Sequence, residues 1–298
     1  MLVAVGLNLA CGCAQEQLLT LGRAALDAGS AVGSAGPAFE FEAPVLVPEL
    51  FSETKDDNPT LTWDMKEIYF SSKRGGDNSD VWWAERAELS EPFSNPELLS
   101  LFSGEGFETS PAVDGDGLTF WFARRVEDSL TGLDIQRAIR LSQGDEWGEP
   151  TLVAELNSDT DDIPRPTGAG GRVMPLGSRR TSTGYLSFSA ERASSSDPFM
   201  PPVLLDELVE DGFSTADAFL SDDGLVILFN HVDADELGDL FVATRERLDL
   251  PFSGVALLET INTAADERDP WLSPDGNTLY FASDREGSLA IYRATRKK

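Results

Sequence analysis

The sequence of 298 residues predicts an all-β fold built from five repeats, and two landmarks with one period support this. The first landmark is an alanine near the end of an apolar segment, and successive copies are 51 to 54 residues apart. The second is a turn-forming segment whose copies are 52 to 54 residues apart. The alanines are Ala84, Ala138, Ala190, Ala243 and Ala294, and the turn segments begin at Asn58, Ser110, Ile163, Asp217 and Asp269.

Each repeat is predicted to contain four short strands, A to D, because β-branched and aromatic runs alternate with turn residues. In the last repeat, runs at 271–272, 278–282 and 291–294 are separated by Ser273-Pro274-Asp275-Gly276 and by 283–287. Proline fixes φ and glycine accepts positive φ, so such segments form turns. A fourth strand links the repeats at 92–99, 149–156, 202–208 and 251–261. A four-stranded unit of about 50 residues is typical of a β-propeller blade.

The two ends of the repeat region predict how the ring closes. The last repeat stops after strand C, at Lys298, whereas 39–48 has the pattern of a D strand. We therefore expect the N-terminal strand to complete the last blade, which removes two exposed sheet edges. Residues 39–298 number 260, and 260/5 gives 52 per blade. Six blades, one of them divergent, is the alternative, and the even spacing leaves no room for it.

Composition excludes several classes of function. Lys and Arg number 23 and Asp and Glu 52, so the formal net charge is 23 − 52 = −29. Such a chain repels phosphate backbones, which disfavours nucleic acids and anionic membrane surfaces as partners. The 41% hydrophobic content is sufficient for a large core. Two cysteines and one histidine exclude disulfide scaffolds, Cys/His zinc clusters and most Ser–His or Cys–His catalysis.

The first residues are predicted to be a targeting segment. The apolar run 1–10 is too short to span a bilayer but fits the core of a secretory signal. Cys11 and Cys13 each follow a small residue, as the acylated cysteine of a bacterial lipoprotein does, and either is a lipidation candidate. A plain signal peptide is the alternative, since no Lys or Arg precedes Arg23. Either interpretation predicts an exported protein, which is a periplasmic or outer-membrane-anchored lipoprotein if one of the cysteines is acylated.

The chain therefore divides into a signal peptide or lipobox at 1–13, a flexible tether at 14–38 and a propeller domain at 39–298. The tether is rich in glycine, serine and alanine, which keep a backbone flexible. Membrane contact is expected only through the lipid anchor.

The last repeat identifies a family resemblance. Asp269-Pro270-Trp271-Leu272-Ser273-Pro274-Asp275-Gly276, followed by 279–285 and Ile291-Tyr292, resembles the TolB-like β-propeller repeat, a WD-repeat-like family, and the resemblance covers 39–298. It implies a bacterial periplasmic or surface protein that binds proteins or carbohydrates without catalysis. The third repeat departs from the pattern, because 168–171 replaces the Asp-Gly turn and Pro175 interrupts strand B, so we expect a distorted blade or an edge strand there.

Candidate site residues lie in the D–A and B–C loops, which emerge on one face of such a ring. The D–A set is acidic and comprises Asp57, Glu108, Asp162, Asp217 and Asp269; the B–C set comprises Arg74, Arg125, Arg180, Arg285 and, in the fourth blade, His231 at the arginine position. These residues form either structural ion pairs or a polar binding face for a sugar, a cation or a protein loop. A histidine among carboxylates would titrate near pH 6–7.

Catalysis is disfavoured by the apparent uniformity of the acidic set. Glycosidases need two carboxylates at a defined separation, and a catalytic set should break the symmetry of the repeats. The loop containing Asp233, Asp235 and Asp239 has oxygen ligands of the kind that calcium prefers, without the EF-hand spacing. No other cofactor is expected. Most tryptophans, including Trp63, are interpreted as core between blades, and no sugar-stacking tryptophan can be selected from the sequence.

The sequence thus predicts a monomeric, non-catalytic binding or scaffolding module of the bacterial cell envelope. Its partner, a protein or a carbohydrate, is expected on the face formed by the D–A and B–C loops. The overall acidity favours a basic or cationic partner. The alternative is a carbohydrate-binding protein or a glycoside hydrolase-like enzyme on the same five-bladed ring.

Overall fold

A computed structural model describes residues 39–104, 106–125, 132–181 and 184–298. Its strands form five antiparallel sheets of four, one sheet for each repeat, as the sequence predicts. Blades 1 and 2 consist of β2 (Asp56–Leu61), β3 (Glu67–Ser72), β4 (Asp80–Glu85), β5 (Glu97–Leu98), β6 (Phe107–Val113), β7 (Thr119–Arg125), β8 (Asp134–Ile139) and β9 (Thr151–Leu152). Blades 3 and 4 consist of β10 (Asp162–Pro164), β11 (Val173–Ser178), β12 (Leu186–Glu191), β13 (Val203–Leu204), β14 (Phe219–Leu220), β15 (Val226–Val232), β16 (Gly238–Thr244) and β17 (Ser253–Leu257).

Blade 5 confirms the predicted closure of the ring. It contains β18 (Glu267–Leu272), β19 (Thr278–Ser283) and β20 (Ala290–Thr295), and its outer strand is β1 (Val45–Leu46). Val45 pairs with Arg293 and Leu46 with Tyr292. Upstream of β1, Phe41 is fully buried and bridges Arg296. The two ends of the propeller domain, 39–298, therefore meet in one sheet, and the blade count of five is correct.

Helical structure in the described residues is limited to three short 3-10 turns that precede D–A loops. They are Pro48–Leu50, Ser100–Phe102 and Asp206–Leu208. Each ends in a buried apolar side chain that fixes the loop on the blade. No helix in the described part of the chain has the length and apolar character that crossing a membrane requires.

The innermost strands of blades 1, 2 and 5 contain a bulge immediately before a proline. Asn58, Ser110 and Asp269 have φ between 51° and 57°, and the strand register shifts at each of them. A bulge re-aims side chains and is frequent beside functional sites. Here the bulge residues lie on the strand nearest the ring axis.

The third blade is more regular than expected. Pro175 lies inside β11, a central strand that pairs continuously with β12. The Pro175 carbonyl accepts a hydrogen bond from the Arg165 N–H. Because the nitrogen and carbonyl of one strand residue point to the same side, the Pro175 nitrogen also faces the inner strand. The inner strand, β10, ends at Pro164. The N–H that Pro175 lacks therefore removes no strand-to-strand hydrogen bond within the sheet. The expectation of an edge strand at Pro175 is therefore wrong.

A stacked arginine explains why the repeats end alike. The arginine that follows strand C covers an aromatic ring with its guanidinium 4.3 to 4.4 Å from the ring centroid. In blades 1 to 4 its Nε also donates to a carbonyl of the A–B turn. The pairs are Arg86–Phe93, Arg140–Trp147, Arg192–Phe199, Arg245–Phe252 and Arg296–Phe39.

Candidate functional site

The ring has two faces that differ in the loops they carry. The D–A and B–C loops share one face, the loop face, as shown by Arg74 in a B–C loop donating to the Leu50 carbonyl in a D–A loop. The A–B turns and C–D loops share the opposite face, the turn face, where the Arg86 Nε donates to the Met65 carbonyl. The sequence-predicted site residues belong to the loop face.

In blades 1, 3 and 5 an arginine of the B–C loop forms the same contacts, which we call the arginine clip. Its Nη2 donates to the carboxylate that begins strand A and to a D–A loop carbonyl, and its Nε donates to a serine hydroxyl that ends strand B. The carboxylates are fully buried and the arginine side chains 14 to 17% exposed. The clips are Arg74–Asp56, Arg180–Asp162 and Arg285–Glu267. They hold the two loops of a blade together.

Blade 2 replaces the clip with two separate ion pairs. The Arg124 Nε lies 2.9 Å from the Glu108 Oε1, and the Arg125 Nη2 lies 2.9 Å from the Asp161 Oδ1. Asp161 also accepts from the Leu133 N–H and from the Tyr185 hydroxyl. Arg125 therefore bridges towards blade 3, whereas Arg74, Arg180 and Arg285 stay within their own blades.

Register shows that the five predicted acids are not equivalent. In the strand pairing, Glu108 lies opposite Arg124 and Asp162 lies opposite Ser178. Both acids therefore occupy the position that Asp56, opposite Ser72, holds in blade 1. Asp57 lies one residue further along the inner strand, and Asp269 lies two residues beyond the equivalent Glu267. The uniformity inferred from the sequence is therefore wrong, because a shift of one residue in a strand sends a side chain to the other side.

Three of the acids converge on the ring axis in what we call the axial cluster. The Arg165 Nη2 contacts the Asp217 Oδ1 and lies 3.0 Å from the Asp269 Oδ1. The Asn58 backbone N–H and Nδ2 donate to the Asp269 Oδ2 at 3.1 and 3.0 Å. The Lys55 Nζ lies 2.5 Å from the Asp57 Oδ2. These carboxylates are at most 7% exposed. The cluster thus joins blades 1, 3, 4 and 5.

Burial dominates the electrostatics of the axial cluster. It raises the pKa of Asp57, which Lys55 opposes and Asp269 reinforces. It lowers the pKa of Arg165, which Asp269 opposes. Asp57 in turn raises the pKa of Lys55. A carboxyl group with a raised pKa beside other carboxylates is the arrangement from which general acids are made.

Five cations of the loop face are more exposed than the carboxylates with which they pair, and we call them the cationic rim. The cations are 25 to 46% exposed and the carboxylates 1 to 11%. The rim comprises Lys55, Arg124, Arg125, Arg179 and Arg268. At these five pairs the loop face therefore presents more positive than negative charge to solvent, although the chain as a whole is acidic.

The lone histidine is a core residue and not an arginine equivalent. His231 lies inside β15, and Ile227 pairs with Leu220 as Leu279 pairs with Leu272, which aligns His231 with Ser283 and not with Arg285. It is 6% exposed, in ring contact with Phe213, Phe229 and Phe241. Burial lowers its pKa, although the Glu210 Oε2 lies 3.2 Å from Nδ1. The condition for a titration near pH 6–7, a position among carboxylates, is therefore not met, because the ring packs against phenylalanines.

The acidic loop of blade 4 is held as a turn. The Asp233 Oδ1 accepts from the N–H groups of Asp235 and Leu237, and Asp239 lies in β16 opposite His231. Within the described residues, no three or more His, Cys, Asp or Glu side chains are grouped as a metal ion needs. The lipidation candidates Cys11 and Cys13 lie outside the described residues.

Sequence reasoning missed a cavity on the turn face. It has a volume of about 300 Å³ and lies at the ring axis, since all five blades contribute to its lining. The floor of the cavity is apolar and includes Leu61, Val113 and Trp271. Trp63 lies at the outer edge of the cavity. Trp63 is 41% exposed, which corrects its interpretation as core. The signal in the sequence was its place inside a polar turn, Thr62-Trp63-Asp64, where a buried side chain is not expected.

Comparison with known proteins supports the fold and no single activity. No protein-family model matches the sequence, and no curated protein is significantly similar to it. Among similar solved structures, TolB from Acinetobacter baumannii is 19% identical with a TM-score of 0.53; the match covers 84% of this chain and spans 56% of the TolB chain. The endo-arabinase from Bacteroides thetaiotaomicron is 12% identical with a TM-score of 0.61 and coverages of 86% and 98%.

A second glycosidase has the same relation to the chain. The catalytic domain of the GH62 α-L-arabinofuranosidase from Coprinopsis cinerea is 11% identical, with a TM-score of 0.57 and coverages of 87% and 98%. All three identities are below 20%, so the likeness establishes the five-bladed fold alone. The chain therefore shares its architecture both with TolB and with glycoside hydrolases.

Proposed function

We propose that this protein is a non-catalytic binding module of the bacterial cell envelope, exported and held by a lipid on Cys11 or Cys13. The observation that carries the proposal is that the carboxylates of the axial cluster are buried and ion-paired. Asp57, Asp217 and Asp269 are buried; Lys55 pairs with Asp57, and Arg165 bridges Asp217 and Asp269. A glycosidase needs two carboxyl groups that reach opposite sides of a substrate, and this cluster is already satisfied internally.

The cationic rim is the proposed contact surface for the partner. Arg125 and Arg179 are about 45% exposed and share the carboxylate of Asp161, which leaves guanidinium donors available. We therefore expect the segment of the partner that contacts the cationic rim to be acidic, in contrast to the basic partner that the net charge favours. Complementary rim charges mainly accelerate association and make it sensitive to salt.

The binding function is tested by capture of envelope proteins and glycans on the immobilised full chain. Arg125→Gln combined with Arg179→Gln should reduce capture of a specific component, and capture should weaken as salt rises. Arg247→Gln is the matched control, because Arg247 is an exposed ion-paired arginine that follows strand C on the turn face. A component captured equally by wild type and the double variant would place its contact elsewhere than on the rim.

A glycoside hydrolase is the second candidate, and the convergence of Asp57 with Asp217 and Asp269 favours it. The raised pKa of Asp57 suits a general acid, and the endo-arabinase shares the ring. The test is hydrolysis of arabinan and of an aryl α-L-arabinofuranoside. The binding proposal expects no turnover. Turnover that Asp57→Asn or Asp269→Asn abolishes, while Asp159→Asn on an exposed D–A loop retains it, would establish the enzyme instead.

A further inference from the structure

We infer that the cavity on the turn face is a carbohydrate site that holds one neutral pyranose ring against Trp63. This rests on the proposed binding function and adds a second face to it, with a named class of ligand. Three features support the inference. The first is the exposed indole of Trp63, and the second is a pair of charged groups, Arg296 and Asp222, whose side chains make no hydrogen bond to the described residues. The third is one turn position at which the repeats carry different residue types.

Trp63 is positioned as a rigid platform. All six tryptophans lie in the described residues, and among them Trp63 alone is exposed, at 41%. One face of its indole lies on Gly115, where a Cβ would come within 1.7 Å of the ring. The backbone N–H of Trp63 also donates to the Gly115 carbonyl at 2.9 Å. Only glycine at 115 permits this close approach, so the other indole face is held towards solvent at the cavity rim.

Arg296 supplies unused donors at the same cavity. Its counterparts Arg86, Arg140, Arg192 and Arg245 each donate Nε to an A–B turn carbonyl. Arg296 keeps the stacking, 4.3 Å from the Phe39 centroid, but its guanidinium donates no hydrogen bond to any described residue. It lines the cavity instead. In blade 5 the guanidinium donors of this arginine therefore remain available to a ligand in the cavity.

Asp222 supplies the matching acceptor. In the A–B turns of blades 4 and 5, Asp223 and Asp275 accept the Ser221 and Ser273 hydroxyls and a backbone N–H, so they cap their turns. Asp222 is exposed, lines the cavity, and its carboxylate has no hydrogen-bond partner among the described residues. Its backbone carbonyl alone is used, by the Gly170 N–H.

At one position of the A–B turn the repeats carry different residue types, whereas the residue before it makes the same hydrogen bonds in each of these turns. The second residue of the A–B turn is Trp63, Gly115, Asp222 or Pro274 in blades 1, 2, 4 and 5, and all four line the cavity. The first residue of each of these turns makes the same turn hydrogen bonds through its backbone N–H and carbonyl. A purely structural role would favour one residue type at an equivalent position, whereas a site for an asymmetric ligand requires different ones.

A neutral sugar fits this set better than the other small ligands. The C–H face of a pyranose stacks on an indole, and its vicinal hydroxyls both donate and accept, which suits a lining that contains both Asp222 and Arg296. An anion would meet Asp222, Asp223 and Asp275, and a cation would meet Arg296. The volume of about 300 Å³ holds one ring with a substituent, and the apolar floor excludes water beneath it.

The test is isothermal titration calorimetry of the full chain with cellotriose, xylotriose, mannotriose and chitotriose. At least one should bind, and Trp63→Ala should weaken it about tenfold, the equivalent of roughly 1.4 kcal/mol. Trp63→Phe should recover part of the affinity, since a phenyl ring still stacks. Arg296→Gln and Asp222→Asn should each weaken binding about tenfold, and Asp159→Asn on the loop face should not. Thermal unfolding of each variant checks that it is folded.

Two results overturn the inference and are distinguishable from failure of the proposed function. If none of the four trisaccharides binds, the cavity is not a site for neutral pyranoses, while capture through the cationic rim remains an independent measurement. If a trisaccharide binds and Arg125→Gln weakens it while Trp63→Ala does not, the protein binds carbohydrate on the loop face. The turn-face site is then wrong and the binding function stands.

Discussion

Asp114 is a buried carboxylate whose ionisation opposes folding. Burial raises its pKa to about 6, and its Oδ1 accepts from the Trp121 Nε1, the Thr167 hydroxyl and the Thr167 N–H. Because the folded-state pKa lies above that of the unfolded chain, the contribution of Asp114 to stability is complete below about pH 4 and is lost as pH rises through 6. Asp114→Asn keeps Oδ1 as the acceptor and removes the charge.

We therefore expect Asp114→Asn to be more stable than wild type at pH 8, by up to about 3 kcal/mol for a shift of roughly two pKa units. Near pH 4 the two should be equal. Urea denaturation at both pH values measures this, and Asp116→Asn is the control, since Asp116 is exposed in the same turn. A variant less stable than wild type at pH 8 would show that the charge itself holds blades 2 and 3 together.

Single residues also show where sequence reasoning stops. The repeat pattern aligns His231 with an arginine position, but a two-residue difference in alignment places it in a core of phenylalanines. Residue type predicts that Trp63 is core, although Gly115 of the next blade holds it at the surface. The Trp63 error concerns a contact between blades, which a repeat pattern within one blade does not report, whereas the His231 error is one of alignment within blade 4.

The arginine clip is the element that fixes the loops of blades 1, 3 and 5. Removing Arg180 leaves Asp162, which is fully buried, without its cation and frees the Leu156 carbonyl. Breaking such a pair on one side leaves an uncompensated charge. We expect Arg180→Met to lower the free energy of unfolding by about 3 kcal/mol, measured by urea denaturation. Arg247→Met, an exposed pair with Asp249, should leave it unchanged.

A second comparison separates the clip from general loss of charge. Arg180→Lys keeps the charge but cannot reach a carbonyl, a hydroxyl and a carboxylate together, because lysine has a single donor centre. If Arg180→Lys is as stable as wild type, the clip acts only through its charge. If it is as unstable as Arg180→Met, the fork geometry is what holds the D–A loop.

Elements were predictable where the repeat itself encodes them. Strand order, blade number and the closure by 39–48 follow from the position of turns and apolar runs, which recur with one period. The site was less predictable because the inner strands bulge at Asn58, Ser110 and Asp269. Each bulge adds a residue, so acids that align in sequence diverge between the arginine clips and the axial cluster.

On the scale of the whole ring, Arg165 connects the inner strands of different blades. It comes from blade 3 and contacts Asp217 of blade 4 and Asp269 of blade 5, and Asp269 also accepts from Asn58 of blade 1. A buried cluster of this kind contributes little net stability when complete, because desolvation offsets the attraction. Removal of one partner is costly, because the remaining charges stay buried and unpaired.

We expect Arg165→Met to lower the free energy of unfolding by about 3–5 kcal/mol. The triple variant Arg165→Met, Asp217→Asn, Asp269→Asn should recover most of this loss, since it leaves no unpaired charge. Urea denaturation followed by tryptophan fluorescence and by far-UV circular dichroism measures both. A triple variant as unstable as the single one would mean that the packing of the guanidinium matters and its charge does not.

The same experiment shows whether the axis makes the ring cooperative. In wild type the fluorescence and dichroism transitions should coincide, because the axial cluster joins blades 1, 3, 4 and 5 and β1 closes the ring. In Arg165→Met the closure remains and the axial link between blades 3, 4 and 5 is lost. If the two transitions then separate, the blades unfold individually once the axis is broken. Coincident transitions would assign the cooperativity to the packed surfaces between neighbouring blades.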